Sequence, residues 1–124
     1  MGPSKVLVVD DSKLMHRMYE VMLRDYVVVY ALDGQEGLDR LRTEGNVDLV
    51  LLDINMPRMN GLEFLAAAKQ DPELAEIPVV IISTEGREED TARGLEAGAA
   101  AYITKPFRSE EIRSVIEKLG AEPG

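Results

Sequence analysis

The chain has 124 residues, no cysteine, and a formal net charge of −9 at pH 7, from 23 acidic and 14 basic side chains. This length fits one domain that buries a core without metal or disulfide staples, and the missing cysteines exclude disulfides and thiolate metal sites. The acidic excess disfavours nucleic-acid binding, because it repels phosphates over most of the surface. No apolar run reaches membrane-spanning length, and the first residues lack a secretory pattern, so we expect a cytoplasmic protein without membrane contact.

Short β-branched runs alternate with longer segments of helical period, which predicts an α/β fold: a five-stranded parallel sheet with helices on both faces. The predicted strands are Lys5–Asp10, Val27–Ala31, Val47–Asp53, Ile77–Ser83 and Ala101–Thr104. The first, third and fourth are continuously apolar, so we expect them at the centre of the sheet. The repeat fills the chain as one domain over residues 1–124, with a core of about residues 5–119 and short tails at 1–4 and 121–124.

Five helices follow the strands in this pattern. Four are predicted at about Ser12–Asp25, Gln35–Thr43, Gly61–Gln70 and Glu88–Ala97, and the fifth begins after Ser109 as N-cap and stops before Gly120. Predicted N-caps of the first three helices are Asp11 or Ser12, Asp33, and Asn60.

Two of these helices differ in how strongly they are amphipathic. The first is expected to bury an apolar face made of Leu14, Met15, Met18, Val21 and Met22. The fourth is weakly apolar, with Ala92 and Leu95 as its inward candidates, so we expect it to pack loosely and to be mobile.

The carboxyl ends of the predicted strands bring together a group of polar side chains. Asp10 and Asp11 follow strand one, Asp53 ends strand three, Ser83 ends strand four, and Lys105 follows strand five. Parallel strands place their carboxyl ends at one edge, where such sheets bind ligands. Crowded carboxylates imply a cation or a proton, and hard oxygen ligands completed by a phosphate favour Mg²⁺. The hydroxyl and the ammonium would then contact phosphoryl oxygens.

Four stretches of the sequence share a pattern with one family: Val8-Val9-Asp10-Asp11-Ser12, residues 53–61 (Asp-Ile-Asn-Met-Pro-Arg-Met-Asn-Gly), Ile82-Ser83, and Tyr102-Ile103-Thr104-Lys105-Pro106-Phe107. With these stretches, essentially the whole chain resembles the receiver domains of two-component response regulators, most closely the single-domain chemotaxis type. The resemblance implies the flavodoxin-like strand order 2-1-3-4-5.

The resemblance also assigns roles at the sheet edge. It implies that Asp53 accepts a phosphoryl group from a histidine kinase, and that Mg²⁺ is held by Asp10, Asp11, Asp53 and the backbone carbonyl of Asn55. Ser83 and Lys105 would contact the phosphoryl group, and the chain would catalyse only its own phosphorylation and slow dephosphorylation.

Further expectations follow from the resemblance. Ser83 and Tyr102 would form the switch, Asn55 and Glu85 would tune dephosphorylation, and the Lys105–Pro106 peptide bond would be cis. A monomer would bind its target through the face of helix four, strand five and helix five. The sequence departs from the family at Thr84, where a smaller residue is usual, and the size of this side chain affects how open the pocket is.

Some of these residues are also compatible with a purely structural role or with another function. Tyr102 is equally compatible with a packed aromatic side chain, and His16 is expected on the surface, paired with Glu20. A haloacid-dehalogenase-like phosphatase also uses an aspartyl phosphate, but it would end strand one in Asp-x-Asp, where this chain has Asp10-Asp11-Ser12. A flavodoxin-like or dinucleotide-binding module would need a glycine- or hydroxyl-rich phosphate loop there. A degenerate receiver acting only as a binding module is disfavoured, because every expected site position is filled.

Overall fold

The computed structural model describes residues 3–54 and 61–123. Its strands are β1 (Lys5–Val9), β2 (Val27–Ala31), β3 (Leu49–Asp53), β4 (Val79–Ser83) and β5 (Ala101–Thr104). They form one parallel sheet in the order β2-β1-β3-β4-β5, which confirms the predicted order and the central position of the three apolar strands. The predicted first, third and fourth strands were too long, because the ladder begins or ends inside the predicted limits.

The helices are α1 (Lys13–Met22), α2 (Gly34–Glu44), α3 (Gly61–Gln70), α4 (Glu88–Glu96) and α5 (Ser109–Lys118). Side chains of α2 and α3 pack on one face of the sheet, and side chains of α1 and α5 pack on the other. Each face therefore has its own hydrophobic core, as the continuously apolar central strands predict. Within the described residues, none of the helices has the length and apolar character needed to cross a membrane.

Side-chain caps fix the start of two helices. The Ser12 hydroxyl accepts a hydrogen bond from the Met15 backbone N–H at 3.2 Å, and the Asp33 carboxylate accepts one from the Glu36 N–H at 2.9 Å. These caps confirm two predictions, whereas Asn60 lies outside the described residues. The predicted Ser109 cap is wrong, because that residue is already helical, and its predecessor makes no side-chain cap. Glu110 and Glu111 in the first turn stabilise the start of α5 instead, because their negative charge interacts favourably with the positive end of the helix dipole.

The predicted buried face of α1 is confirmed at Met15 and Met22, which pack against the core, and is wrong at its other three residues. Leu14, Met18 and Val21 are exposed by 68%, 46% and 72%, whereas Tyr19 and Leu23 are buried. The helix turns Tyr19 toward the sheet, and the partly buried Met15 and Met22 lie on the same side of the helix. Three large apolar side chains of α1 are thereby left in solvent.

The predicted inward residues of α4 are also wrong. Ala92 and Leu95 are exposed, whereas Asp90 and Gly94 are buried. A Cβ atom on Gly94 would lie 2.8 Å from Ile81 Cδ1, so the absent side chain lets the helix backbone approach the sheet closely. Hydrophobic periodicity gives no weight to glycine, so the sequence pattern pointed to Ala92 and Leu95 instead of Gly94. The expected mobility of α4 stays a prediction.

Candidate functional site

Three carboxylates meet at the carboxyl edge of the sheet. Asp10 and Asp11 follow β1, Asp53 ends β3, and one carboxylate oxygen from each lies within 4.8 Å of the others. Because β1 and β3 are neighbours in the sheet, their ends bring these residues together. Asp10 and Asp53 are buried, and Asp11 is exposed.

Only one of the two Asp10 carboxylate oxygens has a hydrogen-bond partner among the described residues. Its Oδ1 accepts a hydrogen bond from the Ser12 backbone N–H at 2.8 Å, while Oδ2 is buried and has no hydrogen-bond partner among the described residues. Burial raises the pKa of this carboxyl above its usual value, the Ser12 hydrogen bond lowers it, and the charge of Asp53 raises it further. A buried carboxylate oxygen that has no partner among the described residues, next to two more carboxylates, is a chemically suitable place for a cation.

An ammonium group approaches the same carboxylates from β5. Lys105 Nζ lies 3.7 Å from Asp53 Oδ2, and the Lys105 backbone N–H donates to the Ser83 carbonyl at 2.7 Å. The peptide bond from Lys105 to Pro106 is cis, which confirms the prediction. The Lys105 ammonium therefore lies against a cluster of three carboxyl groups.

Ser83 ends β4, one strand from Asp53. The residue is fully buried, and its hydroxyl oxygen accepts a hydrogen bond from the Glu85 backbone N–H at 3.0 Å. The hydroxyl hydrogen is thus left to donate elsewhere. Thr84, the departure from the family pattern, is exposed, so its branched side chain is not packed inside the core.

The predicted switch residue Tyr102 is half-buried on β5. Its hydroxyl donates to the backbone carbonyl of Glu85 at 2.5 Å, and its ring packs against the core below α4. An added Cβ on Gly94 would lie 3.1 Å from Tyr102 Cδ2, so α4, β5 and the β4–α4 loop meet at this ring. Asn55 lies outside the described residues.

Two residues near the site were missed by the sequence reasoning. Nε2 of His16 lies 2.7 Å from the backbone carbonyl oxygen of Asp10. The His16 ring packs against Tyr30, with ring centroids 4.7 Å apart. The expected surface pairing of His16 with Glu20 is therefore wrong. The Tyr19 ring stacks on Phe107, with centroids 6.2 Å apart. A signal for Tyr19 was present, because Met15, Tyr19, Met22 and Leu23 form an alternative stripe at helical spacing.

An apolar groove opens beside the acid cluster, between α1 and the β5–α5 loop. Its volume is about 720 Å³. The lining residues are mostly apolar and include the exposed side of α1: Met15, Arg17, Met18, Val21, Met22, Thr84, Lys105, Pro106, Phe107 and Ser109. Lys105 lines the groove and also lies 3.7 Å from Asp53, so the groove is adjacent to the acid cluster.

Comparison with known proteins accounts for this arrangement. Residues 6–117 match the family described as the response regulator receiver domain. The chemotaxis protein CheY of Pseudomonas aeruginosa is 32% identical over 117 residues, which cover 93% of this chain and 94% of that protein. The chain belongs to the response regulator receiver family.

Solved receiver structures share the fold of this receiver domain. The chemotaxis response regulator CheY4 of Vibrio cholerae superposes with a TM-score of 0.87 and 32% identity, over 94% of this chain and 98% of that one. The Mn²⁺-bound form of the response regulator Rcp1 superposes with a TM-score of 0.77 and 30% identity, over 94% and 91%. These structures share the fold of this chain. The acid cluster of this receiver domain is compatible with Mg²⁺ binding.

Proposed function

We propose that this receiver domain takes a phosphoryl group onto Asp53 from a phosphohistidine of a histidine kinase. One observation carries the proposal: the carboxylates of Asp10, Asp11 and Asp53 converge within 4.8 Å, with the Lys105 ammonium 3.7 Å from Asp53. With the Lys105 ammonium beside it, this acid cluster would bind a metal ion and a phosphoryl group together, because each balances the charge of the other.

In the proposed reaction, an Asp53 carboxylate oxygen attacks phosphorus in line with the breaking bond to the donor. A P–O bond to Asp53 forms as the P–N bond to the phosphohistidine breaks. Lys105 holds negative charge on the transferred group, and the Ser83 hydroxyl donates a hydrogen bond to one of its oxygens. The chain thereby catalyses its own modification, and water later removes the phosphoryl group slowly.

Asp10, Asp11 and Asp53 would hold Mg²⁺, and Asp10 Oδ2, which has no hydrogen-bond partner in the part of the chain that the structure describes, would be a ligand. Bound Mg²⁺ supplies charge neutralisation for the transferred phosphoryl oxygens. The Mn²⁺-bound form of Rcp1 supports a divalent ion in a protein of this fold. The backbone carbonyl of Asn55 completes the proposed ligand set through the family resemblance.

The proposed output is a change of partner binding. Drawing the Ser83 hydroxyl toward the phosphoryl group would release its bond with Glu85, and Tyr102, which bonds to the carbonyl of the same residue, would reorient. The face of α4, β5 and α5 then binds the target, while Asn55 and Glu85 set the lifetime of the phosphorylated state. We propose a cytoplasmic monomer that forms a single domain.

The apolar groove offers a route for the phosphodonor partner. Exposed Met18 and Val21, which line the groove, would dock apolar side chains of the kinase, because the groove opens at Lys105, beside the carboxylate that accepts the group. Thr84 lines the same groove and would contact the incoming donor.

A transfer assay tests the proposed function. The protein is incubated with acetyl phosphate and Mg²⁺, and intact mass should show one added phosphoryl group in the parent. Labelling of an Asp53→Asn variant to the same extent would refute Asp53 as the acceptor. Equal labelling in chelator would refute the role of the ion.

A further inference from the structure

Tyr19 is a buried aromatic side chain where α1 meets the β5–α5 loop. It is 1% exposed, and its ring stacks on that of Phe107, with centroids 6.2 Å apart and ring planes at 22°. Phe107 follows Lys105 by two residues and packs against the same core cluster as Tyr19. The ring pair therefore joins α1 to the short loop that carries the ammonium group.

Tyr19 also lies close to the acid cluster. Burial raises the pKa of its phenol, and the charges of Asp10 and Asp53 raise it further. Tyr26 belongs to the same core cluster, and burial also raises its pKa, but the charges that act on it lie outside the acid cluster. Of these two buried tyrosines, only Tyr19 is placed to influence the site.

We propose that Tyr19 is a positioning residue for phosphoryl transfer: its ring supports Phe107, and through it the loop that aims Lys105 at Asp53. The inference rests on the proposed function of Asp53. The Lys105 backbone is fixed on its β4 side by the hydrogen bond to the Ser83 carbonyl at 2.7 Å. On the other side, Phe107 is held two residues further on by its stack against Tyr19, so the direction of the ammonium depends on that packing.

The position of the ammonium matters more for the reaction rate than for metal affinity. The proposed ligands Asp10 and Asp11 follow β1, whose pairing with β3 does not involve the ring pair, so we expect loss of the ring pair to leave them in place. Lys105 acts on the phosphoryl group, and misplacing such a group by about 1 Å can lower a rate by up to about 100-fold. A positioning role therefore predicts slow transfer with unchanged Mg²⁺ affinity.

The test compares Tyr19→Leu, Tyr19→Phe and the matched control Tyr26→Leu in the full chain. Initial rates of phosphorylation by acetyl phosphate are measured by intact mass under conditions where every variant is folded, and Mg²⁺ affinity is measured by calorimetry. Tyr19→Leu should be slower by at least about fivefold with Mg²⁺ affinity unchanged. Tyr19→Phe, which keeps the stacked ring, and Tyr26→Leu should both keep the parent rate within about twofold.

Phe107→Leu removes the ring pair from its other side and provides a second test if Tyr19→Leu does not fold. It should show the same loss of rate at unchanged Mg²⁺ affinity. Parent-like rates in both leucine variants at the ring pair would overturn the inference while leaving Asp53 as acceptor. It would equally be overturned if Tyr26→Leu were slowed to the same degree, or if Tyr19→Phe were as slow as Tyr19→Leu. A parent protein that takes no label would overturn the proposed function as well.

Discussion

Replacing Asp10 with Asn should stabilise the metal-free protein at neutral pH. The parent carboxylate is 2% exposed, and its Oδ2 has no hydrogen-bond partner among the described residues, so its charge is desolvated and repelled by Asp53. The Asn side-chain carbonyl can take the place of Oδ1 and still accept the hydrogen bond from the Ser12 N–H. The substitution thus removes a buried charge and keeps the local geometry.

The size of the effect follows from the spacing of the carboxylates. Their oxygens lie within 4.8 Å of one another. Two unit charges at that separation repel by roughly 3–4 kcal/mol at an effective dielectric constant of about 20. Lys105 offsets part of this repulsion, so the expected gain in the free energy of unfolding is about 1–3 kcal/mol, or roughly 4 °C in Tm for each kcal/mol.

The gain should depend on pH in a defined direction. Burial, followed by the charge of Asp53, raises the pKa of Asp10 above its usual value of 3.8, so the folded parent binds a proton more tightly than the unfolded chain does. The parent therefore loses stability as pH rises through the raised pKa, and below 3.8 the two proteins should be equally stable.

Urea denaturation in chelator at low ionic strength measures this difference. The control is Asp33→Asn, the same change at another buried aspartate, where Asn caps α2 about as well as Asp does and the stability should change by less than about 0.5 kcal/mol. Added Mg²⁺ should stabilise the parent and have little effect on Asp10→Asn. A lower midpoint for Asp10→Asn than for the parent in chelator at pH 7 would refute the argument from repulsion.

Three further predictions concern the surfaces around the site. Gly94→Ala should destabilise the fold by up to about 2 kcal/mol in a denaturant titration, because the new Cβ would meet Ile81 Cδ1 at 2.8 Å and Tyr102 Cδ2 at 3.1 Å, which outweighs the helix propensity gained with Ala; a raised midpoint would contradict the close packing. Met18→Ser should slow transfer from a kinase and leave labelling by acetyl phosphate unchanged, since the side chain is 46% exposed; equal loss with both donors would argue against docking in the groove. Tyr102→Phe removes the hydrogen bond to the Glu85 carbonyl, so amide hydrogen exchange in the β4–α4 loop should be faster, and unchanged protection would show that this bond does not order the loop.

The sequence predicted the acid cluster because the strand ends alone determine it. Asp10, Asp11 and Asp53 follow or end continuously apolar runs, and parallel pairing leaves such ends at one edge whatever the details of the helices. The same reasoning placed Lys105 beside them. Ser83 was predicted at the same edge, and the structure adds that its hydroxyl already accepts a hydrogen bond from the following loop.

The sequence could not predict which faces of α1 and α4 are buried. On α1, two stripes of apolar residues compete, and only packing against the sheet shows that Tyr19 faces inward while Met18 and Val21 remain in solvent. On α4, the contact with the sheet is made by Gly94, which contributes nothing to hydrophobic periodicity. The groove beside Lys105 and the stack of Tyr19 on Phe107 both depend on this rotation of α1, so neither was accessible from the pattern.

Intact-mass measurement of the acyl phosphate tests the central claim most directly. Parent protein incubated with acetyl phosphate and Mg²⁺ should gain one phosphoryl group, and the gain should disappear in chelator and in Asp53→Asn. Peptide mapping should assign the group to Asp53. A label of equal extent in Asp53→Asn, or one that maps to another residue, would contradict the account.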